Sequence, residues 1–274
     1  MPSFSPATAK IVQLSNNLNT PANELVSAIR LDPVLTGKVL QLVNSAYFSL
    51  AQKVTSLNRA LVYLGINTIK NLALSTAVIE MFESRNKDLT ELVRPVWRHS
   101  LATAVCSKIL AKAAQVPQAE IEEYFIAGLL HDLGRIILVQ AFFEKYPNGG
   151  HLELEDEKFR YGTTHCEVAA DTLSRWKFSE HLIEAISSNH APTPANKIGN
   201  FLHVADAMTY RLCLNNEPGG QQEKYPEIQE SAWAILGMNE AKVLEELKSA
   251  PEQIEKAEVF LNIASSKELV KEEP

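Results

Sequence analysis

The sequence has little positive charge and little cysteine. Its 274 residues contain 26 Lys and Arg against 33 Asp and Glu, which gives a formal net charge of −7. Domains that bind nucleic acid normally display a Lys/Arg stripe, so the composition argues against DNA or RNA as a partner. The three cysteines, Cys106, Cys166 and Cys213, form no CxxC pair. This usage fits a reducing compartment better than a disulfide framework.

Long apolar runs and a leader sequence are also missing. No apolar run reaches the roughly 18 residues expected of a membrane span. The first residues, "MPSFSPATAK", lack the charged and apolar regions of a signal peptide. We therefore expect a cytoplasmic protein with no membrane partner.

Sustained alternation of apolar and polar residues, the pattern of strands, is absent, whereas helix spacing is present in almost every segment. Asp32 followed by Pro33 is a typical helix start, and Gly65 suits a helix end. The sequence therefore predicts an all-α fold. A charged stretch, "ESRNKDLTE", suggests a boundary between an N-terminal helical lobe at residues 1–88 and a second lobe at residues 89–214. Residues 215–274 are predicted to form a C-terminal helical extension, and the polar stretch "KYPNGGHLELEDEKF" to join two helices of the second lobe.

One apolar run contains an imidazole beside a carboxylate. From Ile126 to Val139 the chain reads "IAGLLHDLGRIILV", and its polar residues are His131, Asp132 and Arg135. A helix that is apolar all round is a buried helix. A buried charge is costly unless it is paired or bound to a metal. Asp132 therefore needs a partner, and the remaining polar residues on buried faces indicate which kind.

Other predicted helices carry polar residues on their apolar faces. His99 lies on the seam of "LVRPVWRHSLATAV", and His165 lies in the first turn of "TTHCEVAADTLSRW". His190 follows Leu182 and Ile186 on one face, and Asp206 borders the buried face of "KIGNFLHVADAM". Such donors suit divalent Fe, Mn, Zn, Co or Ni, and helical bundles often hold them. The candidate ligands, for one ion or for two that share a carboxylate, are His99, His131, Asp132, His165, His190 and Asp206.

Each of these residues also has a structural interpretation. His131 and Asp132 could pair with Arg135 on their own helix. Asp206 could brace a neighbouring backbone segment, and His165 could be half exposed at its helix start. The remaining histidines and the cysteines are given no metal role: we predict that His151 and His181 lie at the surface, that His203 is not a ligand, and that the cysteines are small core residues.

The order of "WRHS", "LLHDLGR" and "HVADA" resembles the HD superfamily of metal-dependent phosphohydrolases. Nearly the whole chain, from about residue 4 to about residue 212, is similar to an HDOD domain through "IRLDPVLTGKVLQLVNSAYFS", "VTSLNRALVYLG", "HCEVAADTLSRW" and "AISSNHAP". The resemblance implies an N-terminal helical lobe packed on an HD-like helical bundle and a bacterial regulatory setting. In the related HD-GYP phosphodiesterases, the positions that match the six candidate ligands bind metal. The paired His-His and GYP signature of those enzymes is replaced here by Asn189, His190 and "APTPANK", which argues against cyclic-dinucleotide hydrolysis.

Two functions follow from this resemblance. The first is a signal-transduction module that recruits signalling proteins in trans and carries a metal for structure or sensing. The alternative is a metal-dependent phosphohydrolase acting on a phosphomonoester or nucleotide, in which bound metal lowers the pKa of a water molecule. Asp132 and Arg135 are then the catalytic candidates, with Arg135 neutralising the phosphate. Whether the protein is an enzyme stays open at this point.

Overall fold

The computed structural model describes residues 4–15, 20–83, 86–145, 152–212, 214 and 227–265. All regular elements within these ranges are helices, and none is a strand, so the predicted all-α fold is confirmed. We predicted that His151 lies in a surface loop and that Cys213 lies in the core. Both residues are outside the described part of the chain.

Contacts between residues divide the chain into two units. The first unit comprises Met1–Glu83, Trp176–Phe178 and Glu255–Pro274, and the second comprises Ser84–Arg175 and Ser179–Ile254. The division after Glu83 lies close to the predicted boundary after residue 88. The predicted C-terminal extension is shared between the two units, because its described part contributes helices to both.

The first unit contains α1 (Pro6–Ser15), α2 (Ala22–Arg30), α3 (Pro33–Val43), α4 (Leu57–Met81) and the late helix α15 (Val259–Ser265). Asp32 caps α3 as predicted, because its carboxylate accepts a hydrogen bond from the Leu35 backbone N–H at 3.0 Å. The helical dihedrals are interrupted at Gly65, where φ is +80°. α4 therefore consists of two helical segments that meet at a kink at Gly65, so the predicted helix end at this glycine is confirmed.

The second unit contains the helices from α5 to α13 and most of α14. Their bounds are α5 (Lys87–Ala113), α6 (Ile121–Leu130), α7 (Leu133–Ala141), α8 (Leu154–Tyr161), α9 (His165–Arg175), α10 (Glu180–Ser187), α11 (Lys197–Arg211), α12 (Glu230–Leu236), α13 (Glu240–Glu246) and α14 (Ala250–Ala257), with short 3-10 turns at Phe143–Lys145 and Leu247–Ser249. α5 packs against α6 and α11, and α7 packs against α9. These five helices carry or adjoin five of the candidate ligands, namely His99, His131, Asp132, His165 and Asp206.

The apolar run "IAGLLHDLGRIILV" is two helices, not the single buried helix that the sequence predicted. α6 ends at Leu130, α7 begins at Leu133, and His131 and Asp132 occupy the turn between them. The Gly128 carbonyl would accept from the Asp132 N–H in an uninterrupted helix. Here it accepts a hydrogen bond from Nδ1 of the His131 ring at 2.7 Å. The imidazole therefore competes with the helix for its own backbone acceptor.

Two glycines around this turn allow neighbouring helices to approach closely. A Cβ at Gly128 would lie 2.5 Å from Cα of Ala104 on α5, and a Cβ at Gly134 would lie 1.8 Å from the carbonyl oxygen of His165 on α9. Both distances are shorter than any van der Waals contact. The absence of a side chain at these two positions therefore sets how near α6 lies to α5 and how near α7 lies to α9.

Replacing Gly134 by alanine should destabilise the protein, because the added methyl group must displace the backbone of α9. We expect Gly134→Ala to lower the free energy of unfolding by about 1–3 kcal/mol or more, measured by urea denaturation. Gly199→Ala on α11 is the matched control, since its nearest neighbour is a side-chain atom, Oδ1 of Asn196, at 3.3 Å. Equal stability of the two variants would contradict this account of the packing.

Two helical stretches, Leu57–Met81 and Ile121–Ala141, are long and apolar enough by composition to cross a membrane. Over 18 residues of each stretch, 56% of the residues are buried in protein in Leu57–Met81 and 83% in Ile121–Ala141. Buried core helices of soluble proteins have the same length and composition, so the two stretches are weak evidence for a membrane span.

Candidate metal centre

Four of the candidate ligands form one group, which we call the first subsite. It consists of His99 on α5, His131 and Asp132 in the turn after α6, and Asp206 on α11. Nε2 of His99 is 2.8 Å from Oδ1 of Asp206 and 4.0 Å from Oδ2 of Asp132. Nε2 of His131 is 3.6 Å and 3.5 Å from the same two oxygens. Two imidazoles and two carboxylates thus face one point from three parts of the fold.

The remaining candidates form a second subsite on the other oxygen of Asp132. His165 begins α9, and His190 follows the end of α10. Nε2 of His165 is 3.6 Å from Oδ1 of Asp132 and 3.1 Å from Nε2 of His190. The structure therefore brings all six candidate residues together, and the Asp132 carboxylate lies between the two subsites.

The centre is almost completely enclosed by protein. His99, His131, Asp132, His165 and Asp206 each expose at most 6% of their side chains, and His190 is half-buried. The suggestion that His165 is half exposed is wrong, because it is fully buried between α8 and the centre. Charges at such a depth are weakly screened by solvent, so their mutual interactions dominate the electrostatics of the centre.

Burial and neighbouring charges compete for the pKa values in the centre. Burial alone would raise the pKa of Asp132, but the positive charge of Arg135, followed by that of the surrounding histidines, holds it well below its ordinary value. Burial opposes the charge on His131, yet Asp132 and Asp206 raise the pKa of this imidazole to about 9. Burial lowers the pKa of His190 to about 4. The first subsite therefore attracts positive charge, and His190 is a neutral ligand type.

The His131 ring is oriented as a ligand. Its Nδ1–H donates to the Gly128 carbonyl, so Nε2 faces the two carboxylates. Among the described residues Nε2 of His131 has no hydrogen-bond partner, and its carboxylate neighbours are too distant to accept one. A buried imidazole nitrogen without a partner is costly unless a cation or proton lies there. A backbone carbonyl on the other ring nitrogen is also the usual arrangement of a metal-binding histidine.

The spacing of the donor atoms fits a metal ion. Metal–ligand bonds of about 2.0–2.2 Å separate the ligand atoms of one ion by about 3–4 Å. The four distances of the first subsite run from 2.8 to 4.0 Å. Two groups, His99 with His131 and Asp132, and His165 with Cys166 and His190, have ligand atoms close enough to hold an ion. Cys166 is a weaker candidate because its thiol is hydrogen-bonded to Asn189 and burial raises its pKa to about 12.

Arg135 lies within the centre rather than beside it. Its Nε donates to Oδ1 of Asp132 at 3.3 Å, so the alternative that these two residues pair on their own helix segment is confirmed. Its Nη2 is 3.4 Å and 3.5 Å from the two ring nitrogens of His165. The guanidinium therefore contacts the second subsite at both Asp132 and His165.

Glu157 is a buried residue of the centre that the sequence analysis missed. It belongs to α8 (Leu154–Tyr161), which lies inside the polar stretch that we predicted to be a connection between helices. Oε2 of Glu157 accepts hydrogen bonds from the backbone N–H and from Nδ1 of His165, both at 2.7 Å. This carboxylate fixes the ring of His165 with Nε2 toward the centre. Nothing in "LELEDEKF" distinguishes Glu157 from its exposed acidic neighbours.

Removing the Glu157 carboxylate should leave two buried donors of His165 without an acceptor. We expect Glu157→Leu to lower the free energy of unfolding by about 1–3 kcal/mol for each donor, measured by urea denaturation. Glu155→Leu on the exposed side of α8 is the matched control and should change it by less than about 0.5 kcal/mol. The interpretation of Glu157 fails if both variants unfold at the same urea concentration.

The other histidines and cysteines lie as predicted where they are described. His181 is exposed and pairs with Glu123 at 3.0 Å. His203 is buried outside the centre, where Nδ1 donates to the Asn189 carbonyl and Nε2 accepts from the Gln229 backbone N–H. Cys106 and Cys166 are buried free thiols. His203 therefore connects α11 to the segment before α12 and needs no metal role.

The described part of the second unit is helical and surrounds a buried cluster of histidines and aspartates. The protein is therefore a helical protein with a candidate metal centre. The family model of the HDOD domain matches residues 1–192, which is more than half of the chain. The chain therefore belongs to the HDOD family. The matched segment includes five of the six candidate ligands, and Asp206 lies beyond it.

Two solved structures are similar to nearly the whole chain, and one curated relative is similar to two thirds of it. A protein of Marinobacter aquaeolei VT8, named as a candidate signal-transduction protein, is 20% identical and superposes with a TM-score of 0.78 over 97% of this chain and 60% of its own. A candidate phosphohydrolase of Shewanella amazonensis SB2B is 22% identical, with a TM-score of 0.70 over 95% of each chain. An uncharacterized protein of Treponema pallidum (strain Nichols) is 25% identical over 192 residues, 66% of this chain. The aligned segment spans only 36% of that curated relative.

Proposed function

We propose that this chain is a regulatory HDOD module of bacterial signal transduction that holds a divalent metal ion in its second unit. The observation that carries the proposal is the first subsite, in which two imidazoles and two carboxylates face one point and no more than 6% of any of these side chains is exposed. Structural metal sites are closed by four protein ligands, the number that the first subsite supplies, whereas catalytic sites keep an open coordination position. A closed centre suits an ion that stabilises one conformation of the module.

The first subsite is the part of the centre best suited to the ion. Its two carboxylates and two imidazoles would supply two negative charges, which balance a divalent cation. His99, His131, Asp132 and Asp206 would be the ligands, and Fe, Mn, Zn, Co or Ni would fit this donor set. Although burial lowers it, the same two carboxylates raise the pKa of the His131 imidazole to about 9, which supports a requirement for positive charge at this point.

Signalling proteins recruited in trans are the partners that this proposal implies. The name of the Marinobacter relative supports a role in signal transduction. The acidic composition supports protein partners over nucleic acid, and the free thiols of the described cysteines support a cytoplasmic location.

A metal-dependent phosphohydrolase acting on a phosphomonoester or nucleotide is the second candidate. The name of the Shewanella relative and the presence of all six HD-type candidate ligands in one centre support it. A bound metal would act as a Lewis acid and lower the pKa of water. Asp132 would hold the ion, and Arg135 would have to exchange its contacts with Asp132 and His165 for a phosphate. That exchange, in an enclosed site, is the reason to place this function second.

Metal content and phosphoester turnover of the wild-type protein and Asp132→Asn separate these possibilities. We expect a near-stoichiometric metal by plasma mass spectrometry in the wild type and at least a tenfold lower content in Asp132→Asn, because the substitution removes a shared anionic ligand. Asp156→Asn, at an exposed position of α8, is the matched control and should keep its metal.

The same preparations are then offered p-nitrophenyl phosphate and a panel of nucleotides with Fe²⁺, Mn²⁺ or Zn²⁺. The regulatory proposal predicts no turnover that depends on Asp132. Turnover present in the wild type and in Asp156→Asn but lost in Asp132→Asn would contradict it and establish the hydrolase. No metal in any preparation, even after these ions are supplied, would overturn the metal centre in both functions.

A further inference from the structure

The two subsites differ in how many of their donor atoms already have partners. In the first subsite Nε2 of His99 is hydrogen-bonded to Oδ1 of Asp206 at 2.8 Å. Nε2 of His131 lacks a hydrogen-bond partner among the described residues, although it is buried and faces two carboxylates. Nδ1 of His99 on the far side of its ring also lacks one there. One buried nitrogen that faces the first subsite, Nε2 of His131, therefore remains without a partner until a cation or a proton binds there.

The second subsite is complete as it stands. Nδ1 of His165 donates to Glu157, and Nε2 of His165 is hydrogen-bonded to Nε2 of His190 at 3.1 Å. Oδ1 of Asp132 accepts from Nε of Arg135 at 3.3 Å. Each donor atom that a second metal ion would need is thus already engaged by another group of the protein.

The Arg135 guanidinium lies beside the residues that would bind a second metal ion. It contacts Oδ1 of Asp132 through Nε, and its Nη2 lies 3.4–3.5 Å from both ring nitrogens of His165. A guanidinium stays charged at every pH at which proteins fold. Because charges in a buried centre are weakly screened, it would repel a divalent ion held by the same two residues.

The balance of charge also favours a single ion. Both carboxylates of the first subsite face its centre, whereas the second subsite shares one oxygen of Asp132, and that oxygen already faces the guanidinium. The carboxylate of Glu157 is committed to two donors of His165. Among the described residues, His190 forms no ion pair with an acidic side chain.

We propose that Arg135 takes the place of a second metal ion, so that this centre binds one divalent cation in the first subsite and leaves His165 and His190 metal-free. This inference rests on the proposed metal centre and assigns its stoichiometry. Arg135 is then a residue that sets the metal content of the module, and it contacts the second subsite as a fixed cation.

Metal titration of Arg135 variants tests the inference. Arg135→Gln removes the charge and keeps a side chain able to donate to Asp132, and Arg135→Lys keeps the charge as the matched control. With Mn²⁺ as the probe, followed by gel filtration and plasma mass spectrometry, we expect one ion per chain in the wild type and in Arg135→Lys. We expect two in Arg135→Gln, and one again when His190→Ala is added to it.

Two variants in the native Arg135 background test the same point without altering the arginine. His190→Ala should retain one Mn²⁺ per chain with its dissociation constant changed less than threefold, because His190 is not a ligand. His131→Ala should bind Mn²⁺ at least a hundredfold more weakly. A tenfold loss of affinity in His190→Ala would overturn the inference.

The remaining outcomes separate this inference from the metal centre itself. Two ions in the wild-type protein, or one ion in a folded Arg135→Gln, would overturn the role of Arg135 and leave the centre standing. Far-ultraviolet circular dichroism shows whether that variant is folded. No Mn²⁺ in any of the proteins would overturn the proposed centre and the inference with it.

Discussion

The buried carboxylate of Asp132 is the group around which the second unit is organised. One of its oxygens faces His99 and His131, and the other faces Arg135 and His165. Such a charge is tolerated in a helical core only because cations or cation-binding groups surround it on both sides. Its position in a turn, and not within a helix, lets one side chain connect residues from α5, α7 and α9.

The backbone packing that makes this possible depends on small residues beside the turn. Gly128 and Gly134 bracket "LLHDL" and allow α6 to approach α5 and α7 to approach α9. The same close approach places the carbonyl and the ring of His165 against α7. The same close packing of helices therefore determines both the fold and the geometry of the candidate centre. A change in helix spacing would change the distances between ligand atoms.

Much of this arrangement could be predicted from the sequence, because apolar periodicity makes a polar exception conspicuous. The all-α fold follows from helix spacing, and the six candidate ligands stand out as polar residues on apolar faces. Glu157 could not be found in this way, because it lies in an acidic segment where a buried carboxylate resembles its solvated neighbours. The break at His131 was also missed, since it depends on a ring nitrogen taking the Gly128 carbonyl. The position of the Arg135 guanidinium depends on side-chain geometry that periodicity does not encode.

The central claim is that the first subsite holds the metal ion. An anomalous difference map from crystals grown with Mn²⁺ tests it most directly, because the map locates the ion without reference to activity. The account predicts one peak bounded by Nε2 of His99 and His131 and by the carboxylates of Asp132 and Asp206. A peak only beside His165 and His190, or none while the four donors keep their arrangement, would contradict it.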